Sequence, residues 1–362
     1  MLDSKDKVKQ PQEARRNLKL KYFFITILTC LILLVIIGLM IFFLIKNNII
    51  TINLNNFIQT NSIINDSDIQ TIEQYQFLSK FGSVGTGNGQ FKFEVKYVAG
   101  GIGVDSKGFV YVADWGNHRV QKFDANGAFI KKWGIAGIGK GEFSWPLRIA
   151  IDQSDNIYVV ESANNRVQKF DSEGRFLFSI GSFGISQGQF TTPNGVTVDK
   201  EGFIYVADTY NNRIQKFDSQ GNFITMWGQS GNQKGEFNKV YAVTTDSDGN
   251  VYTCDNGNNR IQIFNSDGEF ITKWINDTSR KIRFNSPIDI AIDSQGYIYV
   301  VNLGSSNILK LDQNGSEVAV IGKFGDGSGE LDQPYSVAID SNNRVYVVDT
   351  NHNQIQVFEK VR

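Results

Sequence analysis

Residues 192–228 read TPNGVTVDKEGFIYVADTYNNRIQKFDSQGNFITMWG, in which three short apolar runs follow an opening Pro-Asn-Gly-Val segment. Asp-x-x-Gly turns and an Asn-Asn corner separate these runs. Turn residues between short apolar runs are typical of consecutive β-hairpins. The stretch therefore predicts four short antiparallel strands.

The same stretch recurs along the chain with a fixed period. Its tyrosine occurs six times at intervals of 47 residues, as Tyr111, Tyr158, Tyr205, Tyr252, Tyr299 and Tyr346. A constant period of this length is the mark of a repeat protein in which each copy is one supersecondary unit. We therefore predict an all-β fold built from six four-stranded units.

The Asp-x-x-Gly turns, such as Asp246 to Gly249, superficially resemble calcium-binding loops. None of them carries the full set of ligands that ends in a bidentate glutamate. We interpret them as structural turns, in which the aspartate accepts hydrogen bonds from backbone amides. We accordingly expect no bound metal and no cofactor.

An acid and an arginine lie five residues apart in each of the first four copies. The pairs are Asp114 with Arg119, Glu161 with Arg166, Asp208 with Arg213, and Asp255 with Arg260. A carboxylate and a guanidinium that meet across a tight corner form a bidentate ion pair. The fifth copy has Asn302 and Asn307 instead, and this joint loss indicates that the two residues serve each other. We predict an architectural role for the pairs.

The phrase Tyr-Val-Ala-Asp-x-x-Asn-x-Arg-hydrophobe-Gln-x-Phe-Asp resembles the NHL repeat, and six copies of it cover residues 91–362. NHL domains are six-bladed β-propellers. The resemblance therefore implies that residues 74–362 close into a ring of six four-stranded antiparallel blades, an arrangement that leaves only short, protected strand edges.

Residues 74–82 are expected to close this ring. The sixth copy ends at Arg362 without the Gly-x-Phe-Ile-x-x-Trp-Gly pattern that ends earlier copies, whereas Phe77 to Gly82 reads like an isolated copy of that pattern. We predict that Gln76 to Gly82 completes the last blade. An open array would leave an unpaired apolar edge at each end, which proteins usually avoid.

Residues 22–45 are 24 uncharged residues rich in Ile, Leu and Phe, which is long enough for a transmembrane helix. No Ala-x-Ala-like site follows them, so we expect a signal-anchor that is not cleaved. Residues 1–21 form a basic tail, and the positive-inside rule places that tail in the cytoplasm. The prediction is a single-pass type II membrane protein with an Asn/Ile-rich stalk at residues 46–73 and an extracytoplasmic propeller.

The composition beyond residue 46 argues against two kinds of NHL-domain function. That part holds 28 basic and 34 acidic side chains, so it offers no electrostatic attraction for phosphate backbones and nucleic-acid binding is not expected. Two cysteines and two histidines in the whole chain cannot build a RING or B-box zinc module. The resemblance to NHL-bearing ubiquitin ligases is therefore confined to the propeller.

Two charged residues stand out on the strand that should line the propeller channel. They are Arg148 and Asp289, which occupy the same position of the repeat, near the mouth of the channel, in copies three blades apart. The other four copies have small residues at that position. The two side chains either bind an ionic ligand or satisfy one another through water.

Five aromatic residues accompany this pair in segments expected to emerge on one face: Trp115, Trp145, Tyr210, Tyr241 and Tyr335. Exposed aromatic side chains favour partner binding because they bring a large contact area at low entropic cost. The alternative interpretation is that several of them pack between blades.

Known propeller enzymes need residues that are scarce in this chain. Amidating lyases resemble the repeat but hold zinc through several histidines, whereas only His118 and His352 are present here, both in corner positions. Lactonase-like propellers hold calcium with Glu, Asn and Asp, whereas the corresponding channel register here is Gly, Ala and Thr. No Ser/His/Asp or Cys/His set emerges.

The sequence therefore predicts a membrane-anchored, non-enzymatic module that binds an unidentified protein or glycan as an adhesion protein, scaffold or sensor. One alternative is a membrane-anchored hydrolase or lyase that uses the channel. A second is a cytoplasmic scaffold of reversed topology, related to the NHL-bearing ligases but lacking the RING.

Overall fold

The computed structural model describes residues 73–93 and 100–361, which form 24 strands in six four-stranded antiparallel sheets. The predicted tail, membrane helix and almost all of the stalk lie outside the described residues. Within the described part of the chain, no helix is long and apolar enough to span a membrane.

The first strand in the chain is β1 (Tyr75–Phe81), and the others follow in blade order. Blade 1 consists of β2 (Ile102–Val104), β3 (Val110–Asp114), β4 (Arg119–Phe123) and β5 (Phe129–Trp133). Blade 2 consists of β6 (Pro146–Ile151), β7 (Ile157–Glu161), β8 (Arg166–Phe170) and β9 (Phe176–Ile180). Blade 3 consists of β10 (Gly195–Val198), β11 (Ile204–Asp208), β12 (Arg213–Phe217) and β13 (Phe223–Trp227).

Blades 4 to 6 repeat this order. Blade 4 consists of β14 (Val240–Thr245), β15 (Val251–Asp255), β16 (Arg260–Phe264) and β17 (Phe270–Trp274). Blade 5 consists of β18 (Pro287–Ile292), β19 (Ile298–Asn302), β20 (Asn307–Leu311) and β21 (Glu317–Ile321). Blade 6 consists of β22 (Pro334–Ile339), β23 (Val345–Asp349), β24 (Gln354–Lys360) and β1. Short 3₁₀ helices form four corners, at Trp115–Asn117, Thr209–Asn211, Asn256–Asn258 and Leu303–Ser305.

The innermost strands form a closed ring. Each of β2, β6, β10, β14 and β18 contacts the innermost strand of the next blade, and β22 contacts β2. The predicted all-β, six-bladed propeller with four-stranded antiparallel blades is confirmed.

Blade 6 is built from both ends of the described chain. β1 pairs with β24 in an antiparallel register that sets Tyr75 opposite Lys360 and Phe81 opposite Ile355. Glu73, just before β1, accepts hydrogen bonds from Lys310 at 2.6 Å and from Lys360 at 2.7 Å. The closing strand begins one residue before the expected Gln76 and ends one residue before Gly82.

The periodic tyrosine is explained by its hydroxyl group. Tyr111 donates a hydrogen bond of 2.9 Å to Oδ2 of Asp105, whose Oδ1 accepts from the amides of Lys107 and Phe109. The buried tyrosine thus fixes the turn between the first and second strands. The hydroxyl groups of the other five periodic tyrosines bind the equivalent aspartates, Asp152, Asp199, Asp246, Asp293 and Asp340.

Glycine at the turn between the third and fourth strands of blades 1 to 5 is required by the neighbouring blade. Gly174 has φ of +75°, and a Cβ atom there would lie 2.7 Å from the ring of Trp133. In blades 2, 4 and 5 the turn glycine therefore makes room for the tryptophan that ends the outer strand of the preceding blade. In blades 1 and 3 it makes room for Phe81 and Ile180 in the same way.

Each blade is reached by a connecting loop from the outer strand of the preceding blade. We number these loops by the blade that they enter: loop 1 (82–91), loop 2 (134–143), loop 3 (181–190), loop 4 (228–237), loop 5 (275–285) and loop 6 (322–331). Asn117, in the corner between the second and third strands of blade 1, donates to the carbonyl of Gly85 in loop 1 at 2.9 Å. Loops and corners therefore share one face of the propeller, which we call the corner face.

The acid–arginine pairs tie the connecting loops to the blades. In blade 3, Nε of Arg213 donates to the fully buried Asp208 at 2.8 Å. Its Nη1 and Nη2 donate to the carbonyls of Ile185, Ser186 and Gln189 in loop 3. The Nε–carboxylate distances are 2.7, 2.6 and 2.6 Å in blades 1, 2 and 4. The expected two-pronged carboxylate contact is therefore wrong for blades 1, 3 and 4, because the outer guanidinium nitrogens bind loop carbonyls.

Blade 5 lacks the pair because its loop is different. Loop 5 contains no glycine, and Asn302 binds it directly, donating from Nδ2 to the carbonyl of Arg283 at 2.9 Å. In blade 6, Asp349 accepts from Gln354 at 2.8 Å and lies 2.8 Å from Nδ1 of His352, which bridges to Asp326 in loop 6. The acid and the glycine-rich loop thus occur together, with arginine at the donor position in blades 1 to 4 and Gln354 there in blade 6.

Asp208→Asn should lower the free energy of unfolding by about 3 kcal/mol, because it leaves the buried guanidinium of Arg213 uncompensated. The double variant Asp208→Asn/Arg213→Asn has the residues of blade 5. Its loss of free energy of unfolding should be smaller than the sum of the losses in the two single variants. Denaturant unfolding of the four members of this cycle measures the coupling. Lys131→Gln, which removes an ion pair on the surface, is the control and should leave stability unchanged; strict additivity of the cycle would contradict the assignment.

Candidate functional site

Arg148 and Asp289 meet across the channel mouth. Arg148 is the third residue of β6 and Asp289 the third residue of β18, and these innermost strands belong to opposite blades. Nε of Arg148 lies 3.2 Å from Oδ1 of Asp289. The two residues are only 4% and 6% exposed. The sequence left open whether the two side chains bind an ionic ligand or satisfy one another through water. The structure shows that they contact each other directly, with no space for an intervening water.

Asp289 is fully engaged by its neighbours. Its Oδ2 accepts a hydrogen bond of 2.6 Å from the hydroxyl of Ser336 and one of 3.0 Å from the amide of Val337. The Ser336 hydroxyl in turn accepts from the amide of Ile102 at 3.2 Å. The carboxylate therefore links blade 5 to blade 6 and, through Ser336, to blade 1.

Arg148 and Tyr335 keep buried polar atoms without a hydrogen-bond partner among the described residues. The guanidinium carbon of Arg148 lies 4.5 Å from the centre of the Tyr335 ring, and Nη2 donates to the carbonyl of Ile288 at 2.7 Å. Nη1 of Arg148 and the hydroxyl of Tyr335 have no partner. Burial raises the pKa of Tyr335, so its hydroxyl stays protonated. Since an unpaired buried donor is costly, these two atoms are where a water or ligand oxygen would bind.

The channel beside this pair is narrow. It encloses about 190 Å³ and is lined by the innermost strands. This space has room for several waters. One register along the wall consists only of small residues: Gly103, Ala150, Thr197, Thr244, Ala291 and Ala338.

The five candidate aromatic residues differ in their access to solvent. Trp145 and Tyr210 are 45% and 55% exposed, and Tyr241 is half-buried. Trp115 is buried and stacks on Trp145 with ring centres 5.2 Å apart, while Tyr335 is buried over Arg148. The interpretation as a solvent-facing aromatic rim therefore holds for Trp145 and Tyr210, whereas Trp115 and Tyr335 pack internally.

The connecting loops carry exposed apolar residues that the sequence interpretation missed. Six such side chains in four of the loops are at least 66% exposed, more than any other large apolar side chain in the described part of the chain. We call this set the apolar arc: Val84, Ile135, Ile138, Phe183, Ile185 and Phe324. The available signal was the placement of large apolar residues beside glycines in loops, where polar residues are usual.

The remaining chemically reactive side chains are structural or buried. His352 bridges Asp349 and Asp326, and Cys254 is fully buried, which raises the pKa of its thiol and keeps it unreactive. Among residues 73–93 and 100–361, no group of three or more His, Cys, Asp or Glu side chains is arranged to hold a metal ion.

A family model described as "NHL repeat" matches the chain at five places, in blades 1, 2, 3, 4 and 6. The matched residues are 97–123, 143–170, 190–217, 242–264 and 331–358. Blade 5, the unmatched copy, is the one that lacks the acid–arginine pair and the glycine-rich loop. No curated protein sequence matches the chain.

Solved structures with a similar fold have different activities. The virginiamycin B lyase of Staphylococcus aureus is 14% identical, with 80% of this chain and 100% of that chain covered and a TM-score of 0.52. A gluconolactonase of Xanthomonas campestris is 12% identical, with coverage of 72% and 85% and a TM-score of 0.54. A chain of the nidogen/laminin complex is 16% identical, with coverage of 66% and 83% and a TM-score of 0.51. At these identities the likeness shows the fold alone.

Two neighbouring residues in β22 should respond very differently to removal of a hydroxyl. Ser336→Ala should lower the free energy of unfolding by about 2 kcal/mol, because Asp289 loses a charge-assisted hydrogen bond. Tyr335→Phe should change it by less than about 0.5 kcal/mol, because that hydroxyl has no partner. Thermal and denaturant unfolding compare the two variants; a large loss for Tyr335→Phe would mean that a buried water or ligand holds its hydroxyl.

His352 should make stability depend on pH. Burial alone would lower its pKa, but the hydrogen bonds to Asp349 and Asp326 outweigh burial and raise the pKa above the ordinary 6.5. The resulting stabilisation should be complete below about pH 6.5 and lost as pH rises through the raised pKa. His352→Asn, which copies the residue of blades 1 to 4, should remove this dependence, as measured by melting temperature between pH 5.5 and 8.5. A flat profile for the unmodified protein would contradict the assignment.

Proposed function

Because the chain is an NHL-repeat six-bladed β-propeller, we propose that it is a membrane-anchored, extracytoplasmic module that binds a protein or glycan partner at the channel mouth of its corner face. Residues 22–45 provide the anchor, and the basic residues 1–21 keep the N-terminus in the cytoplasm. In this proposal the propeller acts as an adhesion protein, scaffold or sensor and performs no catalysis.

The observation that carries the proposal is the engagement of Asp289. This acid lies in the channel mouth, where a general base would have to act, but its Oδ2 accepts hydrogen bonds from Ser336 and Val337 and its Oδ1 lies 3.2 Å from Nε of Arg148. A carboxylate held by two hydrogen bonds and in contact with an arginine has little freedom to accept a proton from a substrate. Apart from Arg148, Asp289 and Ser336, the described channel wall consists of Gly, Ala, Thr, Val and Ile.

The exposed aromatic residues supply a surface for a partner. Trp145 precedes β6 directly, and Tyr210 lies in the corner of blade 3, so both are on the corner face. The stacking of Trp145 on the buried Trp115 fixes the exposed indole in place. A rigid aromatic side chain loses little entropy on binding, which suits both a protein surface and the apolar face of a sugar.

The test uses residues that the chain itself has at equivalent positions. Trp145→Thr copies Thr192, and Tyr210→Ala copies Ala163, so both should preserve the fold. Full-length protein on intact cells is probed with arrays of glycans and of extracellular protein domains, and the Kd of the best ligand is measured. We expect the double variant to bind at least ten-fold more weakly, and Ile271→Thr on the outer strand of blade 4 to bind normally.

Three results would contradict the proposal. The first is a ligand that binds the double variant as tightly as the unmodified protein. The second is turnover of a lactone or ester that is lost in Asp289→Asn. The third is a propeller that external protease cannot reach on intact cells, which would favour the cytoplasmic scaffold.

A further inference from the structure

We propose that the apolar arc docks against the surface of a lipid bilayer, so that the propeller rests on the membrane by one side of its rim. This inference rests on the membrane anchor of the proposed function. It concerns residues other than the partner-binding aromatics, and it is tested by a different measurement.

The apolar arc occupies four successive connecting loops. Val84 is in loop 1, Ile135 and Ile138 are in loop 2, Phe183 and Ile185 are in loop 3, and Phe324 is in loop 6. Their exposed fractions are 69%, 66%, 80%, 71%, 76% and 69%. Single exposed apolar residues are normal on a protein surface, but six of them are confined here to four successive loops and are absent from the equivalent positions of loop 4.

Loops 4 and 5 have polar residues at the positions where the other four loops have the residues of the apolar arc. Loop 4 has Gln229, Ser230 and Asn232 at the positions of Ile135, Phe183 and Ile185, and loop 5 has Asn276 and Asp277 near its start. Since the loop backbone is the same in loops 2, 3 and 4, folding does not require the apolar side chains. The difference therefore reflects what lies outside that sector of the ring.

The loops of the apolar arc are held rigidly. Arg119, Arg166 and Arg213 donate to backbone carbonyls of loops 1, 2 and 3, and one of these carbonyls belongs to Ile138 and another to Ile185. His352 performs a similar role for loop 6 through Asp326. The apolar side chains are consequently presented to solvent and cannot fold back onto the blade.

The spacing of the apolar side chains favours a fluid surface over a protein partner. They stand singly or in pairs on loops of different blades, with charged and polar residues between them, and they form no continuous patch. A protein interface needs a contiguous, complementary core, whereas separate apolar side chains can each enter the boundary between headgroups and acyl chains.

Charge in these loops is mixed, so the predicted surface is a neutral bilayer. Lys92, Lys140 and Lys323 lie in or beside the loops, and Asp326 is almost fully exposed. The carboxylates of Glu142 and Glu330 are turned inward and accept hydrogen bonds from Gly139 and Gly327 of their own loops. Docking should therefore not require anionic lipid.

The chain reaches the propeller within the sector of the apolar arc. β1 starts at Tyr75 as the outer strand of blade 6, loop 1 follows it directly, and loop 6 leads into the same blade. The 27 residues from 46 to 72 lie between the predicted membrane segment and the described part of the chain. They could extend to roughly 90 Å, so the tether permits contact without enforcing it. Tethering raises the local concentration of the loops at the bilayer, which makes weak insertion sufficient.

The test measures the depth of single loop residues in the membrane. Full-length protein with Cys30→Ser leaves only Cys254, which is fully buried, and Phe183→Cys adds one reactive thiol for an environment-sensitive fluorophore. The labelled chain is reconstituted into phosphatidylcholine vesicles that contain lipids brominated along the acyl chain. Ser230→Cys, the equivalent position in loop 4, is the matched control.

We expect bromine to quench the label at position 183 at least three-fold more than the label at position 230. A triple variant gives these loops the residues of loop 4: Ile138→Asn, Ile185→Asn and Phe324→Ser. It should reduce quenching at position 183 to the control level. Ile224→Thr with Ile271→Thr removes exposed apolar side chains from outer strands instead, and should leave the quenching unchanged.

Equal quenching at positions 183 and 230 would overturn the proposal. The proposal would also be overturned if the label at position 183 showed a blue-shifted emission that bromine does not quench and that disappears on dilution. That result would show that the apolar arc contacts a second copy of the chain. Flotation of the chain with vesicles after alkaline carbonate treatment reports the anchor separately. Failure to float would contradict both the anchor and the docking, whereas flotation without quenching would contradict the docking alone.

Discussion

Five of the six blades depend on the contacts that surround a buried carboxylate on their second strand. In blades 1 to 4 and in blade 6 it has no access to solvent, and burial raises the pKa of Asp114 and Asp255 despite their arginine partners. Burying an ionised carboxylate is tolerable only when hydrogen bonds surround it. In blades 1 to 4 those donors are the corner asparagine, the arginine and the buried glutamine, and in blade 6 His352 and Gln354 take the first two places. The glycine-rich loop supports them. A change to one of them therefore alters the demands on the others, which is what blade 5 demonstrates with Asn302.

The same dependence explains what the sequence revealed. The numbers of strands and blades could be predicted because the residues that define each hairpin lie close together in the sequence. Tyr205, Asp199 and Gly202 of the first turn, for example, act within one hairpin. The joint loss of Asp and Arg in blade 5 was visible, but its cause was not, because the arginine serves a loop that lies 24 to 28 residues earlier. The contact between Arg148 and Asp289 depends on the width of the closed channel. Channel width is a property of the whole ring, and no local pattern contains it.

Near-identical blades make deviations informative. Where all six copies agree, the residue satisfies a requirement of the blade, as the small residues along the channel wall do. Where one copy differs without a change in backbone, the difference has to be explained by the surroundings. The exposed side chains of loops 2 and 3, compared with the polar ones of loop 4, are of this second kind.

The pairing of β1 with β24 sets a limit on when the molecule can finish folding. β1 is among the first parts of the propeller to leave the ribosome, whereas its partner is complete only at Lys360, near the end of the chain. Blades 1 to 5 can assemble in order during synthesis, but blade 6 cannot form until β24 has been synthesised. Contacts between such distant residues form slowly. During that interval β1 remains an unpaired strand, so nascent chains that stall or end early will expose it to chaperones and proteases.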